Sequence, residues 1–137
     1  MPVITEIEDL RRIYRRRVPK MFVDYCDSGS WTEQTYRENV SDYARLRLRQ
    51  RVAVDMTNRS TQTTLLGAPA AMPVALAPVG MTGMQAADGE IKAARAAEAF
   101  GVPYTLSTMS ICSIEDVAAH TTKPFWFQLY VMRDQEY

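Results

Sequence analysis

The chain has little of several things that define whole classes of proteins. Its 137 residues include one histidine and only two cysteines, Cys26 and Cys112. One histidine and two distant cysteines cannot build a closed zinc site, and two cysteines are too few for a disulfide scaffold. The N-terminus also lacks the apolar core of a secretory leader. We therefore expect a cytoplasmic protein that binds no metal.

An excess of charge of either sign is also missing. Sixteen basic residues balance sixteen acidic ones, so bulk charge does not favour a nucleic-acid partner. Residues 64–87 carry no charge and are numerous enough to span a membrane as a helix. Prolines and glycines interrupt this run and favour a buried strand with loops instead; they are Gly67, Pro69, Pro73, Pro78, Gly80 and Gly83.

The second half of the chain alternates between strand and helix patterns. Apolar residues 72–78 predict a strand that runs into a Pro-Val-Gly turn, and residues 102–107 and 125–131 predict two more strands. Between them we expect a helix capped by Asp88 and a shorter one that starts at a Ser113 capping box. The first helix should end at Gly101 and pack through one face formed by Ala93, Ala96, Ala97 and Phe100. A β-α-β-α-β order predicts a parallel sheet with right-handed crossovers.

All three predicted strands end in polar or turn residues. Ligands in parallel α/β folds bind at the carboxyl ends of the strands, whether the sheet is open or closed into a barrel. The residues that fall at this rim are Pro78, Val79, Gly80, Ser107, Gln128 and Tyr130. The sequence therefore predicts a site for a flat ligand at this rim. Taken singly, each residue also fits a plainer interpretation, as an ordinary turn donor or an amphipathic packing tyrosine.

Five blocks of the sequence resemble the FMN-dependent α-hydroxy-acid dehydrogenases and oxidases. The blocks are FVDYCDSGSWTEQTYRENV, LRLRQRV, MPVALAPVGMTGM, YTLSTMSICSIEDVA and WFQLYVMRD. The last three are most similar to the bacterial respiratory L-lactate dehydrogenase branch. The resemblance implies an α/β fold, the N-terminal portion of a (β/α)8 TIM barrel preceded by helices and a small hairpin.

Length limits how much of such a barrel the chain can hold. A closed barrel needs roughly 250 residues. We therefore expect residues 1–137 to be one incomplete domain and a fragment of a longer enzyme. Residues 1–66 would form a helical extension and hairpin, and residues 67–137 the first three barrel strands.

The resemblance also implies roles for the rim residues. The backbone of Pro78, Val79 and Gly80 would lie against the FMN ring, and Ser107 and Gln128 would bind its polar edge. Tyr130 would bridge flavin and substrate as a catalytic residue, and Tyr25 would bind the substrate carboxylate. The family's histidine base, its arginines and its phosphate site belong to later strands. His120 is not the base, because it ends a crossover helix on the opposite face.

The first third of the chain predicts three helices. Thr5 and Glu8 suggest a capping box, Pro19 a second start and Thr32 a third cap. The first helix carries an apolar stripe opposite five arginines; the stripe is Ile7, Leu10 and Tyr14, and the arginines are Arg11, Arg12, Arg15, Arg16 and Arg17. The arginine face suits either anionic lipid or solvent, and the weak apolar stripe favours solvent. Residues 52–56 and 63–66 predict a small hairpin.

These features predict an enzyme that oxidises L-lactate or a similar 2-hydroxy acid with FMN. By resemblance it would pass electrons to a quinone or cytochrome, form a homo-oligomer when complete, and associate peripherally with the cytoplasmic face of the inner membrane. Two alternatives stay open: an oxygen-using hydroxy-acid oxidase, and a non-catalytic truncated module. Gly80 gives weak support to the dehydrogenase, since the family's oxidases often carry alanine at this turn.

Overall fold

The computed structural model describes residues 3–133. The chain divides into two compact units, Met1–Asn58 and Arg59–Tyr137, and each is described by itself.

The first unit is helical, as the sequence predicts. Its elements are α1 (Ile7–Arg17), α2 (Lys20–Asp27), α3 (Gln34–Ser41) and a 3-10 turn at Tyr43–Arg45. Pro19 does precede α2, but two predicted caps are wrong. Glu6 rather than Thr5 is the N-cap of α1, and its capping box is with Asp9, whose carboxylate accepts a hydrogen bond from Glu6 N at 3.4 Å. Glu33 rather than Thr32 precedes α3.

A cluster of side chains around Asp27 links the three helices of this unit. Asp27, at the end of α2, accepts hydrogen bonds from Arg11 Nε at 3.1 Å and Arg15 Nε at 2.8 Å. Arg11 also donates from Nη2 to the Tyr36 hydroxyl on α3 at 2.9 Å. Burial raises the pKa of Asp27, but the hydrogen bonds from Arg15 and Arg11 outweigh it, so the pKa lies below its ordinary value. Four charged and polar side chains thus link the three helices, where Val23 is the one buried helix residue among those described.

The second unit begins with an antiparallel hairpin of β1 (Thr63–Leu65) and β2 (Ala68–Ala70). The prediction of a strand at residues 52–56 is wrong. The strand that pairs with β1 is β2. Leu66 and Gly67 both adopt positive φ, at 47° and 81°, which turns the chain straight back on itself. Ala53 also has a positive φ, of 55°, which interrupts an extended strand at 52–56.

The parallel pairing predicted for the second half is confirmed, over shorter strands. Strand β3 (Thr105–Ser107) pairs in parallel with β4 (Trp126–Gln128). The predicted strand at 72–78 is reduced to one parallel bridge between Leu76 and Tyr104. Pro73 and Pro78 have no N–H to donate, so the ladder cannot extend along this segment.

The uncharged run 64–87 forms the hairpin, the bridge segment and a short helix, α4 (Thr82–Gln85), rather than one continuous helix. The sequence did not predict α4. Within residues 3–133, no helix combines the length and the apolar character that crossing a bilayer requires.

Two helices cover the parallel strands, α5 (Gly89–Phe100) and α6 (Ile114–Ala119). The predicted packing face of α5 is partly wrong, because Ala96 and Phe100 are exposed while Ala97 is buried. The buried face is instead Glu90, Ala94 and Ala97, with i, i+4, i+7 spacing. The core is built from Ala94, Ala97, Tyr104, Leu106 and Val117.

Candidate functional site at the strand ends

Two side chains meet where the parallel strands end. Ser107 is the last residue of β3 and Gln128 the last of β4, and the strand register pairs them directly. The Ser107 hydroxyl donates a hydrogen bond to Gln128 Oε1 at 3.2 Å. Ser107 is buried, whereas Gln128 is partly exposed. The pair therefore forms a fixed polar edge with one side open.

A second layer of hydrogen bonds fixes the chain beyond these strands. Thr108 Oγ1 donates to the Gln128 carbonyl oxygen and accepts from Tyr130 N, the latter at 3.0 Å. The Ser107 hydroxyl also accepts from Met109 N at 3.1 Å. The backbone at Tyr130 is thus held at the same rim, while its residue surface is 46% exposed.

The Pro-Val-Gly turn follows the segment that contains Leu76, which forms the parallel bridge with Tyr104. Thr82 Oγ1 donates to the Val79 carbonyl oxygen at 3.0 Å, and Met81 N donates to the Met109 carbonyl oxygen at 2.8 Å. The second of these bonds ties the turn to the loop after β3. Val79 is 47% exposed, so the turn presents its surface outward rather than into the core.

Of the predicted rim positions, Ser107, Gln128 and Tyr130 are thus linked to one another by hydrogen bonds and strand register. Pro78, Val79 and Gly80 lie in the turn that the bond from Met81 to Met109 ties to the loop after β3. Tyr25 belongs to the first unit, on α2, where it is 49% exposed. Its role at the substrate stays a prediction.

Glu90 is a residue at this end of the fold that the sequence did not reveal. It is fully buried, and its Oε1 accepts hydrogen bonds from Gly83 N and Ile111 N, each at 3.0 Å. Burial raises the pKa of this carboxyl, but hydrogen bonds, foremost those from Ile111 N and Gly83 N, outweigh it and leave the pKa below its usual value. The i, i+4, i+7 alignment of Glu90 with Ala94 and Ala97 was the one available signal of its burial.

The second oxygen of Glu90, Oε2, has no hydrogen-bond partner of normal geometry among residues 3–133. The Cys112 thiol interacts with the Glu90 carboxyl group. Burial, followed by the interaction with Glu90, raises the pKa of Cys112. The thiol is therefore protonated at neutral pH and is a poor nucleophile.

His120 lies where the sequence predicted it, at the C-terminal end of α6. Its Nδ1 is 2.7 Å from the Asp116 carbonyl oxygen, and its side chain is exposed. The chain continues from it into the amino end of β4. It is therefore on the face opposite the rim and is no candidate for the base.

A cavity of about 400 Å³ also lies at the amino ends of the strands. Apolar side chains such as Tyr104, Phe125 and Trp126 line most of it, together with Lys123. It lies at the end of the sheet away from Ser107 and Gln128, so we do not assign it to the candidate site.

Comparison with known proteins identifies the class to which this fold and rim belong. Residues 14–137 match the FMN-dependent dehydrogenase family. The chain belongs to this family.

Three relatives illustrate the range of the match. The L-lactate dehydrogenase of Chromohalobacter salexigens is 51% identical over 133 residues, which cover 97% of this chain and 34% of that protein. A soluble mutant of the membrane-associated (S)-mandelate dehydrogenase from Pseudomonas putida has a TM-score of 0.89 and 36% identity, covering 96% of this chain and 38% of its own. A mandelate oxidase has a TM-score of 0.89 and 36% sequence identity, and the match covers 98% of this chain and 39% of that protein. The chain thus spans about a third of the length of the curated relatives it matches.

Proposed function

We propose that these residues form the amino-terminal part of an FMN-dependent enzyme that oxidises L-lactate, or a similar 2-hydroxy acid, to the 2-oxo acid. The complete fold would be a (β/α)8 barrel, with residues 67–137 supplying its first three strands. The observation that carries the proposal is the hydrogen-bonded Ser107–Gln128 pair, which lies beside the Pro-Val-Gly turn at one rim.

This rim has the chemistry that a flavin edge needs. The polar edge of the isoalloxazine ring has both hydrogen-bond donors and acceptors, and Ser107 and Gln128 have both as well. Among the described residues, Gln128 Oε1 is engaged by Ser107, and no bond to Gln128 Nε2 is seen. The backbone of Pro78, Val79 and Gly80 would cover the flat face. FMN, when bound, accepts the hydride equivalent from the substrate.

Two tyrosines would act on the substrate side. Tyr130 would hold its hydroxyl near the reacting carbon and stabilise charge that develops there, which the anchoring of its backbone through Thr108 supports. Tyr25 would bind the substrate carboxylate through its hydroxyl. The base and the arginines would come from the remaining barrel strands.

For the electron acceptor we propose a quinone or cytochrome. The enzyme would associate peripherally with the cytoplasmic face of the inner membrane. The surface of α1 supports membrane association, since Ile7 is 83% exposed and Arg16 and Arg17 on the same helix are also exposed. The membrane-associated mandelate dehydrogenase is a precedent within the family. The complete enzyme would be a homo-oligomer.

The function is tested on the full-length gene product, with the 137-residue chain in parallel. We expect the full-length protein to carry stoichiometric FMN after gel filtration and to reduce a dye when L-lactate is added. We expect the 137-residue chain to bind FMN weakly or not at all and to turn over no lactate. A colourless, inactive full-length protein would support the non-catalytic module instead.

An oxygen-using hydroxy-acid oxidase is the second candidate, because a mandelate oxidase shares this fold over 98% of the chain. The two candidates differ in how fast the reduced enzyme reacts with oxygen. Hydrogen peroxide formation as fast as quinone reduction would favour the oxidase.

A further inference from the structure

We propose that Glu90 is a positioning residue, whose carboxylate fixes the distance between the two loops that face the flavin. The proposal rests on the proposed function, because it assigns Glu90 a role in shaping that rim. We call the arrangement of Glu90 with the amides of Gly83 and Ile111 the Glu90 clamp.

The clamp joins two loops that are far apart in the sequence. Gly83 lies in α4, just after the Pro-Val-Gly turn, and Ile111 lies in the loop after β3; both amides donate to the same oxygen of Glu90 at 3.0 Å. A carboxylate serves this purpose well, because a charged oxygen accepts two N–H groups more strongly than a neutral one. Full burial removes competing water, so the two amides have this one acceptor.

The clamp sits where the backbone is too crowded for side chains. A Cβ on Gly83 would lie 2.7 Å from Ile111 Cβ and 3.1 Å from Glu90 Oε2. A Cβ on Gly89 would lie 2.6 Å from the Thr82 carbonyl oxygen. These glycines let the loops and the start of α5 approach closely enough for one carboxylate to reach both amides.

The clamp is connected to the rim through short stretches of chain. Gly83 is three residues after Gly80, and Ile111 is four residues after Ser107. The hydrogen bond from Met81 N to the Met109 carbonyl oxygen crosses between the same two loops at 2.8 Å. The clamp and this bond together leave the loops one arrangement, so loosening Glu90 should shift Gly80 relative to Ser107.

The test compares Glu90→Ala and Glu90→Gln with Glu98→Ala in the full-length gene product. Glu98 is a matched control, since it lies on the same helix and also joins two elements, by accepting a hydrogen bond from Thr122 N at 3.1 Å. It does so near the other end of α5, roughly 12 Å along the axis. Two readouts are used: amide hydrogen exchange at Gly83 and Ile111 without added FMN, and the dissociation constant for FMN.

For Glu90→Ala we expect about tenfold faster exchange at both amides and about tenfold weaker FMN binding. For Glu90→Gln we expect both the exchange rate and the FMN dissociation constant to rise about threefold, because its neutral oxygen still accepts the two hydrogen bonds but more weakly. Glu98→Ala should lower the melting temperature and leave both readouts within about twofold of the wild type.

If the Glu90→Ala variant does not fold, the Glu90→Gln variant tests the proposal. A Gln variant equal to the wild type in both readouts would overturn the proposal, and so would a Glu98→Ala variant that weakens FMN as much as the Glu90 variants do. Faster exchange with unchanged FMN binding would reduce Glu90 to a purely structural residue. A wild type that binds no FMN would overturn the proposed function itself, and with it the role of the clamp at the flavin.

Discussion

Ser107 and Gln128 are joined across the carboxyl ends of β3 and β4, with the serine hydroxyl 3.2 Å from the glutamine Oε1. The same hydroxyl accepts from Met109 N at 3.1 Å, so it couples the strand end to the following loop. One small side chain therefore fixes both the orientation of the Gln128 amide and the start of the loop.

Removing this hydroxyl should weaken FMN binding. In Ser107→Ala, Gln128 loses its partner and Met109 N loses its acceptor, and two such bonds are worth about 1–3 kcal/mol together. We expect the dissociation constant for FMN to rise roughly tenfold, measured by flavin fluorescence in the full-length gene product. Thr121→Val is the control, because Thr121 Oγ1 donates to the Val117 carbonyl oxygen on the opposite face. Equal FMN affinities in the two variants would remove Ser107 from the site.

The rim was predictable because it depends on local patterns. Each apolar run ends in a recognisable turn or polar residue, and parallel strands bring their carboxyl ends together. That order predicts that Ser107 and Gln128 lie at one rim, whereas their direct pairing depends on the register of β3 and β4.

Glu90 and the hairpin partner were not predictable in this way. The two amide donors of the Glu90 clamp lie seven residues before Glu90 and 21 residues after it, so the helical alignment with Ala94 and Ala97 could indicate burial of Glu90 but not its partners. The choice of β2 over residues 52–56 depends on positive φ at Leu66, a residue that seldom adopts it. The burial of Glu90 is set by tertiary contacts, whereas the hairpin is set by a local turn conformation that leucine seldom adopts.

Tyr130→Phe should lower kcat more than it raises KM. Its hydroxyl would act on charge that develops in the transition state, and loss of one such donor costs roughly 3 kcal/mol, or about a hundredfold in rate. Steady-state kinetics with L-lactate checks this, with the exposed Tyr43→Phe as the control. An unchanged kcat would mean that Tyr130 takes no part in the chemistry.

The helical unit should lose stability in acid through Asp27. Its pKa in the folded state is depressed from 3.8, so its contribution is fully present above that value and is lost as the pH falls through the folded pKa. Asp27→Asn should lower the free energy of unfolding at pH 7 by about 1 kcal/mol, since the ion pairs are partly exposed. It should also flatten the acid limb of the stability curve.

Urea unfolding of the full-length gene product at pH 7 and pH 3 measures this effect. Asp24→Asn is the control, because Asp24 pairs with Lys20 on the exposed side of the same helix. If the Asp27 and Asp24 variants show the same loss at pH 7, the cluster around Asp27 does not hold the helices together.

Gly80→Ala should increase hydrogen peroxide production relative to quinone reduction. Positive φ angles among the described glycines occur at Gly67 and Gly101, so the turn conformation does not itself require glycine at position 80. The absence of a methyl group at position 80 would instead let the backbone approach the flavin more closely and alter how oxygen reaches the flavin. The ratio of peroxide formed to quinone reduced in the full-length gene product is the measurement, and Gly67→Ala, in the hairpin turn, is the control. If the wild type already forms peroxide as fast as it reduces quinone, the dehydrogenase proposal fails and the oxidase takes its place.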